Sequence, residues 1–193
     1  GLAERLLALG DARDEDEVDR EQRRLEVAKD ASDLVLQGRL SLLHLVAMKQ
    51  TKHLLTSDSK LARTEGTLLL AEVVKGTLTV LTKHEVDHVL AFFCECLKDW
   101  HTLRATLSGC RALLGNTEGT GGSGGIKKMA AGSAGTLSVS EGTRLTKENA
   151  KLLARSLFEH VDVQSHSQPN RQLCFEIVDA LLREPYDEAV LEL

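Results

Sequence analysis

One stretch near the middle of the chain, residues 82–97, reads TKHEVDHVLAFFCECL and decides the fold. Thr82 stands where a helix N-cap is expected, and Glu85 follows three residues later, which is the pattern of a capping box. The apolar side chains behind it recur at i, i+3, i+4, i+7 and i+11, and they are Val86, Val89, Leu90, Phe93 and Leu97. This spacing predicts an amphipathic helix that buries one face and leaves the other in water.

Helical patterns continue on both sides of this stretch. Apolar residues recur at helical spacing in residues 25–55, 60–80, 102–114, 146–160 and 170–183. We expect a possible interruption of the first segment at Gly38, and we expect polar turns at residues 56–59 and 99–101. The apolar face of the helix predicted at 60–80 is so wide that we expect other helices to pack on two of its sides. Hydrophobic residues make up 42% of the chain but aromatic residues only 3%, so the apolar content is aliphatic and predicts an all-α protein.

The same pair of charged residues recurs after two of the predicted turns. Asp58 precedes Arg63 by five residues, and Asp99 precedes Arg104 by the same distance, so the pair repeats after 41 residues. Helical hairpins of HEAT and armadillo arrays repeat at about 40–47 residues. Such residues can bond to each other and to matching groups in the next hairpin. We therefore predict an α-solenoid of HEAT-like antiparallel hairpins with Asp58, Arg63, Asp99 and Arg104 as a structural ladder; chance recurrence is the alternative.

Composition divides the chain into four predicted parts. Residues 1–38 form an acidic helical segment, with seven Asp and Glu between positions 11 and 21. Residues 39–118 hold two hairpins. Residues 119–142 contain eight of the 15 Gly and predict a flexible insertion, because such a segment cannot offset the entropy cost of ordering by burial. Residues 143–193 are expected to form a third hairpin and the start of a further helix.

Charge and cysteine content argue against several classes of function. The chain has 24 Lys and Arg against 29 Asp and Glu, a formal net charge of −5, which gives no electrostatic footprint for binding nucleic acid or an anionic membrane. No uncharged run reaches the roughly 18 residues that a membrane-spanning helix needs. The four Cys lack metal-ligand spacing and favour reduced thiols in the cytosol or nucleus. We expect no direct nucleic-acid or membrane partner.

His84, Glu85 and His88 fit the H-E-x-x-H pattern of zinc peptidases, in which two His bind zinc and the Glu is the general base. On a helix, both His side chains point away from the apolar stripe and into water. Catalytic zinc also needs a third protein ligand, and Cys94 and Cys96 point too far apart to chelate one ion. We predict no catalytic, metal or cofactor residues and no enzyme activity; a zinc peptidase stays as an alternative.

Four blocks of sequence resemble one known family. They are RTEGTLLLAEVV at 63–74, LTKHEV at 81–86, AFFCECLKD at 91–99 and LFEHVDVQSHSQPNR at 157–171. In this order they resemble the N-terminal region of a family of large HEAT-repeat proteins. That family serves as the targeting subunit of cytosolic iron–sulphur protein assembly and was first described in DNA repair and transcription. The acidic start and the glycine-rich insertion depart from the family pattern.

The resemblance implies a non-enzymatic adaptor that links the assembly machinery to apo-proteins of DNA replication, repair and transcription and does not itself bind the cluster. It implies two kinds of partner: apo iron–sulphur client proteins, and the other targeting-complex subunits, which dock on C-terminal repeats missing from this sequence. It also implies a location in the nucleus and cytoplasm. The repeat alone leaves another function open, a generic α-solenoid scaffold in transcription or transport.

Overall fold

The computed structural model describes residues 1–10, 16–115, 145–183 and 185–191, and its regular structure there is helical. The α-helices, in chain order, are α1 (Leu2–Gly10), α2 (Glu17–Leu36), α3 (Leu42–Ala47), α4 (Lys49–Leu55), α5 (Lys60–Thr77), α6 (Lys83–Cys96), α7 (Leu103–Leu113), α8 (Lys147–His160), α9 (Gln168–Leu181) and α10 (Asp187–Leu191). A 3-10 turn, Val163–Ser165, lies between α8 and α9. None of the helices described here is both long and apolar enough to cross a membrane.

The helices are arranged in two layers. Helices α2, α5, α7 and α9 pack side by side in that order, and α1, α4, α6 and α8 pack against them, while α3 contacts α4 and α6 and α10 contacts α8. Within each hairpin the two helices also contact each other: α1 packs on α2, α4 on α5, α6 on α7 and α8 on α9. Successive hairpins that share one hydrophobic core form an α-solenoid. The predicted all-α solenoid fold is confirmed.

Helix α5 is covered on two sides, as its broad apolar pattern predicts. Helix α2 packs against one side and α7 against the other, while α4 crosses close to it at Gly66. A Cβ atom at Gly66 would lie 2.9 Å from the Cβ of Leu54, so only glycine permits this approach. The residues that α5 buries are Ala62, Glu65, Gly66, Thr67, Leu69, Leu70, Ala71, Val73, Val74 and Thr77.

The apolar stripe of α6 faces the core, as predicted. Its central residue, Phe93, is 0% exposed and lies against Gly109 of α7. A Cβ atom at Gly109 would lie 2.2 Å from Cζ of the Phe93 ring, far inside van der Waals contact. Glycine at this position is therefore what lets the ring fill the space between the two helices. The other stripe residues are also buried: Val86, Val89, Leu90 and Leu97.

The capping box at the start of α6 is present and also serves a second helix. The backbone N–H of Glu85 donates to Oγ1 of Thr82 over 3.3 Å, and the backbone N–H of Thr82 donates to Oε2 of Glu85 over 2.9 Å. The other carboxylate oxygen, Oε1, accepts the backbone N–H of Leu42 over 2.9 Å. Because Leu42 is the first residue of α3, one side chain satisfies backbone donors at two helix starts.

The helix expected over residues 25–55 is three helices in the structure. Gly38, with φ +68°, ends the first, as the sequence suggested. A second break at Met48 separates α3 from α4, because Met48 has the non-helical ψ of 137°. Ser41 begins α3 by accepting the backbone N–H of His44 over 3.1 Å. The sequence pattern missed the Met48 break, since apolar periodicity continues across it.

The first 36 residues join the same array through helices α1 and α2. Leu6, Leu9, Val27 and Ala31 of these helices are buried in the common core. The Arg24 guanidinium donates through Nη1 to Oε2 of Glu65 in α5 over 2.7 Å, and both side chains are buried. The division at residue 38 stays a prediction. The glycine-rich insertion predicted at 119–142 lies outside the described residues.

Candidate interaction surface

Arg63 links the turns of two neighbouring hairpins. Its Nε donates to Oδ2 of Asp99 over 3.1 Å, and its Nη2 lies 3.0 Å from the same oxygen. Its Nη1 donates to the backbone carbonyl oxygens of Ser57 over 2.8 Å and Asp58 over 3.2 Å. One guanidinium therefore closes the turn before its own helix and binds the carboxylate in the next turn, which fixes how the two hairpins stack.

Asp58 and Arg104, the other members of the predicted ladder, lie outside this contact. Asp58 contributes only its backbone carbonyl, and both charged groups are exposed without a polar side-chain contact among the described residues. The reason is helix phase: α5 begins two residues after Asp58, whereas α7 begins four residues after Asp99. Arg63 is therefore the fourth residue of its helix and Arg104 only the second. Equal sequence spacing does not give the two arginines equivalent places.

An arginine in the first turn of α9 binds the turn before its own helix, as Arg63 does. Arg171 is the fourth residue of α9, and its Nη1 donates to the backbone carbonyl of His166, five residues earlier, over 3.2 Å. The sequence already places Asn170 and Arg171 at the corresponding position of the third predicted hairpin, but without a matching Asp. The usable signal is an arginine at the fourth position of a hairpin's second helix.

The turn between α6 and α7 places Trp100 and His101 at the edge of the array. The two ring centroids are 3.5 Å apart, and the indole is 71% exposed. The ammonium of Lys60, from the start of α5, lies 5.7 Å from the Trp100 ring centroid in a cation–π arrangement. Desolvation and the charge of Lys60 lower the pKa of His101, which favours a neutral imidazole at pH 7. Sequence reasoning treated these residues only as a break between helices.

Of the three H-E-x-x-H residues, Glu85 caps helices and the two His face solvent. His84 and His88 are exposed on the outer face of α6, as their positions predict. Glu85 is buried and its carboxylate accepts hydrogen bonds from Thr82 and Leu42. Burial raises the pKa of Glu85, but these hydrogen bonds outweigh it and lower the pKa overall. Within the described residues no three His, Cys, Asp or Glu side chains are grouped as a metal site would require.

The four cysteines are free thiols in an apolar setting. Cys94, Cys110 and Cys174 are buried and Cys96 is half-buried. Burial raises the pKa of all four thiols, and it raises the pKa of Cys96 to about 11. The protonated thiol therefore dominates at neutral pH, and it is a poor nucleophile and a poor metal ligand. Their role in this part of the molecule is packing.

A groove of about 350 Å³ lies between α5 and α7 and reaches Leu173 of α9. Glu72 and Lys75 line one side of it and Arg111 lines the other. Arg111 is held by Glu176 of α9, with 2.6 Å between Nε and Oε2. Charges of both signs line this groove, so it does not select a ligand by charge.

This geometry is accompanied by similarity to known proteins. The family model MMS19 N-terminal, described as Dos2-interacting transcription regulator of RNA-Pol-II, matches residues 48–192. The MMS19 nucleotide excision repair protein homolog of Arabidopsis thaliana is 30% identical over 153 residues, which are 79% of this chain and 11% of the plant protein. The chain therefore spans about a tenth of the length of this curated relative. No solved structure matches the chain.

Proposed function

The chain belongs to the MMS19 N-terminal family, and from this premise we propose that it is part of a protein-binding scaffold that acts in DNA repair and transcription. More specifically, it is a non-enzymatic HEAT-repeat adaptor of the targeting complex for cytosolic iron–sulphur protein assembly. It joins the assembly machinery to apo-proteins of DNA replication, repair and transcription. Its place of action is the nucleus and cytoplasm.

The observation that carries this proposal is the continuous core with polar links between consecutive hairpins. Arg24 of α2 binds Glu65 of α5, and Arg63 of α5 binds Asp99 in the turn before α7. Arg111 then pairs with Glu176 between α7 and α9. Stacked hairpins of this kind offer extended surfaces, which suit binding of proteins. The partners are other targeting-complex subunits and apo iron–sulphur proteins, and the net charge of −5 argues against direct nucleic-acid binding.

The absence of catalysis is also part of the proposal. Two helix starts already engage the carboxylate of Glu85, which a zinc peptidase would need as its general base. A decisive measurement is the zinc content of the dialysed protein together with peptidase activity of the wild type and of Glu85→Gln. Stoichiometric zinc with activity lost in the variant would establish the peptidase and contradict the adaptor.

Affinity capture of the full-length protein from cells tests the adaptor function. We expect recovery of other assembly subunits and of enzymes that require iron–sulphur clusters, above the level obtained with an unrelated HEAT-repeat protein carrying the same tag. Bound proteins with no enrichment for cluster enzymes would instead support a generic scaffold in transcription or transport. Recovery of neither class would remove the functional proposal and leave the fold unchanged.

A further inference from the structure

The only tryptophan of the chain is presented to solvent at the turn between α6 and α7. Trp100 is 71% exposed, although a tryptophan side chain offers one of the largest apolar surfaces available for burial. Truncation of tryptophan often has a large effect on binding when it lies in a protein interface. An exposed indole held in a defined position is therefore a candidate anchor for a partner.

The position of the indole is defined by the contacts beneath it. His101 stacks on Trp100, and the backbone N–H of His101 donates to Oδ1 of Asp99 over 3.0 Å. The other carboxylate oxygen of Asp99 is held by Arg63 of the preceding hairpin. The turn is thus anchored on both hairpins, so little conformational freedom remains to be lost when a partner covers the ring.

The turn that holds Trp100, before α7, is longer than the corresponding turn before α5. Helix α5 begins two residues after Asp58, but α7 begins four residues after Asp99. Trp100 and His101 lie in this longer connection, whereas the shorter turn has no side chain of comparable size. The neighbouring hairpins thus stack closely while the indole stands out from their edge.

The charges around the indole are positive on balance. Lys60 lies over the ring, and Arg104 is exposed one residue into α7. Arg63 neutralises Asp99, so Asp58 is the exposed carboxylate left at the neighbouring turn. Lys98, just before the turn, is paired with Glu95, so the exposed cations left for a ligand in this part of the described chain are Lys60, which contacts the ring, and Arg104, four residues after Trp100.

We propose that Trp100, Lys60 and Arg104 form a docking site for an acidic peptide segment of a partner protein, with an aliphatic side chain of the peptide against the indole. Carboxylates of the peptide pair with the two cations, and the indole supplies the apolar anchor. Single-stranded nucleic acid also stacks on aromatic rings beside cations, but such platforms hold successive bases on several rings, whereas the described residues of this turn present one exposed indole. This inference rests on the proposed function as a protein-binding scaffold, and it assigns the surface and the chemistry of the partner.

Trp100 is also the reporter for the test, since every change in tryptophan emission comes from this one indole. The probe is a short synthetic peptide of Glu and Leu in a Gly-Ser background, added to the intact chain. We expect a blue shift of the emission and protection from acrylamide quenching, both weakened by added salt. A peptide with Lys in place of Glu, and oligothymidine, should leave the emission unchanged.

Variants identify the residues, with binding measured by anisotropy of the fluorescein-labelled peptide. We expect Trp100→Ala to weaken binding by at least about ten-fold, as truncation of an interface anchor does. The double change Lys60→Glu and Arg104→Glu should weaken binding by repulsion, and added salt should then no longer weaken it further. The matched controls are Val80→Ala, another exposed apolar residue, and Lys75→Glu, another exposed lysine. Thermal melts establish that each variant is folded.

Three results would overturn this docking site: no spectral change with the acidic peptide, equal binding of the Lys peptide or oligothymidine, or unchanged affinity of folded Trp100→Ala. Failure here is distinguishable from failure of the proposed function. Capture of assembly subunits by the full-length protein without peptide binding at Trp100 removes only this inference. Peptide binding at Trp100, when the full-length protein recovers no cluster enzymes, removes only the adaptor proposal.

Discussion

Helices α5 and α9 both form the second half of a hairpin, yet they bury very different shares of their surface. Helix α5 has α2 on one side and α7 on the other, and ten of its residues are buried. Helix α9 packs on α7, and its buried residues are Cys174, Ile177, Ala180 and Leu181. Phe175 of α9 is 63% exposed. Position within the stack, rather than sequence hydrophobicity, therefore determines how much of a helix is buried.

The same contrast holds for the whole array. The large exposed apolar residues gather on the first and last helices and their ends: Leu7, Val18, Leu25, Leu36, Leu152, Phe158, Phe175, Leu182 and Leu191. In the described residues from α3 to α7, the exposed large apolar side chains are Val80 and Trp100. Among the described residues, the middle hairpins thus cover one another, while α1, α2 and α8–α10 carry more exposed apolar side chains.

The interior should show the largest loss of stability. We expect Phe93→Ala to lower the free energy of unfolding by about 3–5 kcal/mol, because the ring fills the space against Gly109 and the change leaves a cavity. Urea denaturation followed by far-UV circular dichroism measures this. Phe158→Ala removes the same atoms at the end of the array, where the ring is 63% exposed, and should change stability by at most about 0.5 kcal/mol. Equal losses at the two sites would refute the contrast between middle and end.

The next largest effect concerns the buried ion pair of α5. We expect Glu65→Gln to cost about 3 kcal/mol, since the buried charge of Arg24 then keeps only a 3.9 Å contact with the exposed carboxylate of Glu21. The control is Glu72→Gln on the same helix, outside this pair, which should be nearly neutral. Joint replacement by Arg24→Met and Glu65→Leu should recover most of the loss, since apolar residues of similar size replace a buried pair well. A neutral Glu65→Gln would show that the pair is solvated.

A smaller, pH-dependent effect is expected at Glu85. Its pKa is lower in the folded protein than the value of 4.5 for a free Glu, so the unfolded chain takes up the proton first as pH falls. The stabilisation is present above about pH 4.5 and is lost as pH falls through the folded pKa. We expect Glu85→Gln to cost about 1–2 kcal/mol at pH 7 and to flatten the acid side of the stability profile. Exposed Glu159→Gln should leave that profile as in the wild type.

The smallest effects belong to exposed positions. Phe175→Ser on α9 and His88→Ala on the outer face of α6 should each change stability by at most about 0.5 kcal/mol, as measured by thermal melting. A larger loss at Phe175 that grows with protein concentration would show that the terminal face is covered by a second copy in solution. A larger loss at His88 would mean that the outer face of α6 is covered.

Sequence periodicity was enough to find the helices and the inward face of α6, because the spacing of residues along a helix sets the direction in which their side chains point. It also anticipated the double coverage of α5. It did not find the break at Met48, which depends on a backbone angle. It also did not find that α1 and α2 join the array, since the Arg24–Glu65 contact pairs residues far apart in the chain. The predicted ladder paired Asp58 with Arg63 and Asp99 with Arg104; in the structure Arg63 binds Asp99, and Arg104 has a different place because helix phase is invisible in residue spacing.

Glu85 has a consequence for how this molecule is divided into pieces. Its two oxygens serve the start of α6 and the start of α3, which are separated by the whole of α4 and α5. A fragment that ends before position 85 would keep Ser41 as the N-cap of α3 but lose the acceptor of the Leu42 backbone N–H, which would weaken the first turn of α3. Any boundary placed between α3 and α6 therefore separates two helix starts that depend on the same carboxylate.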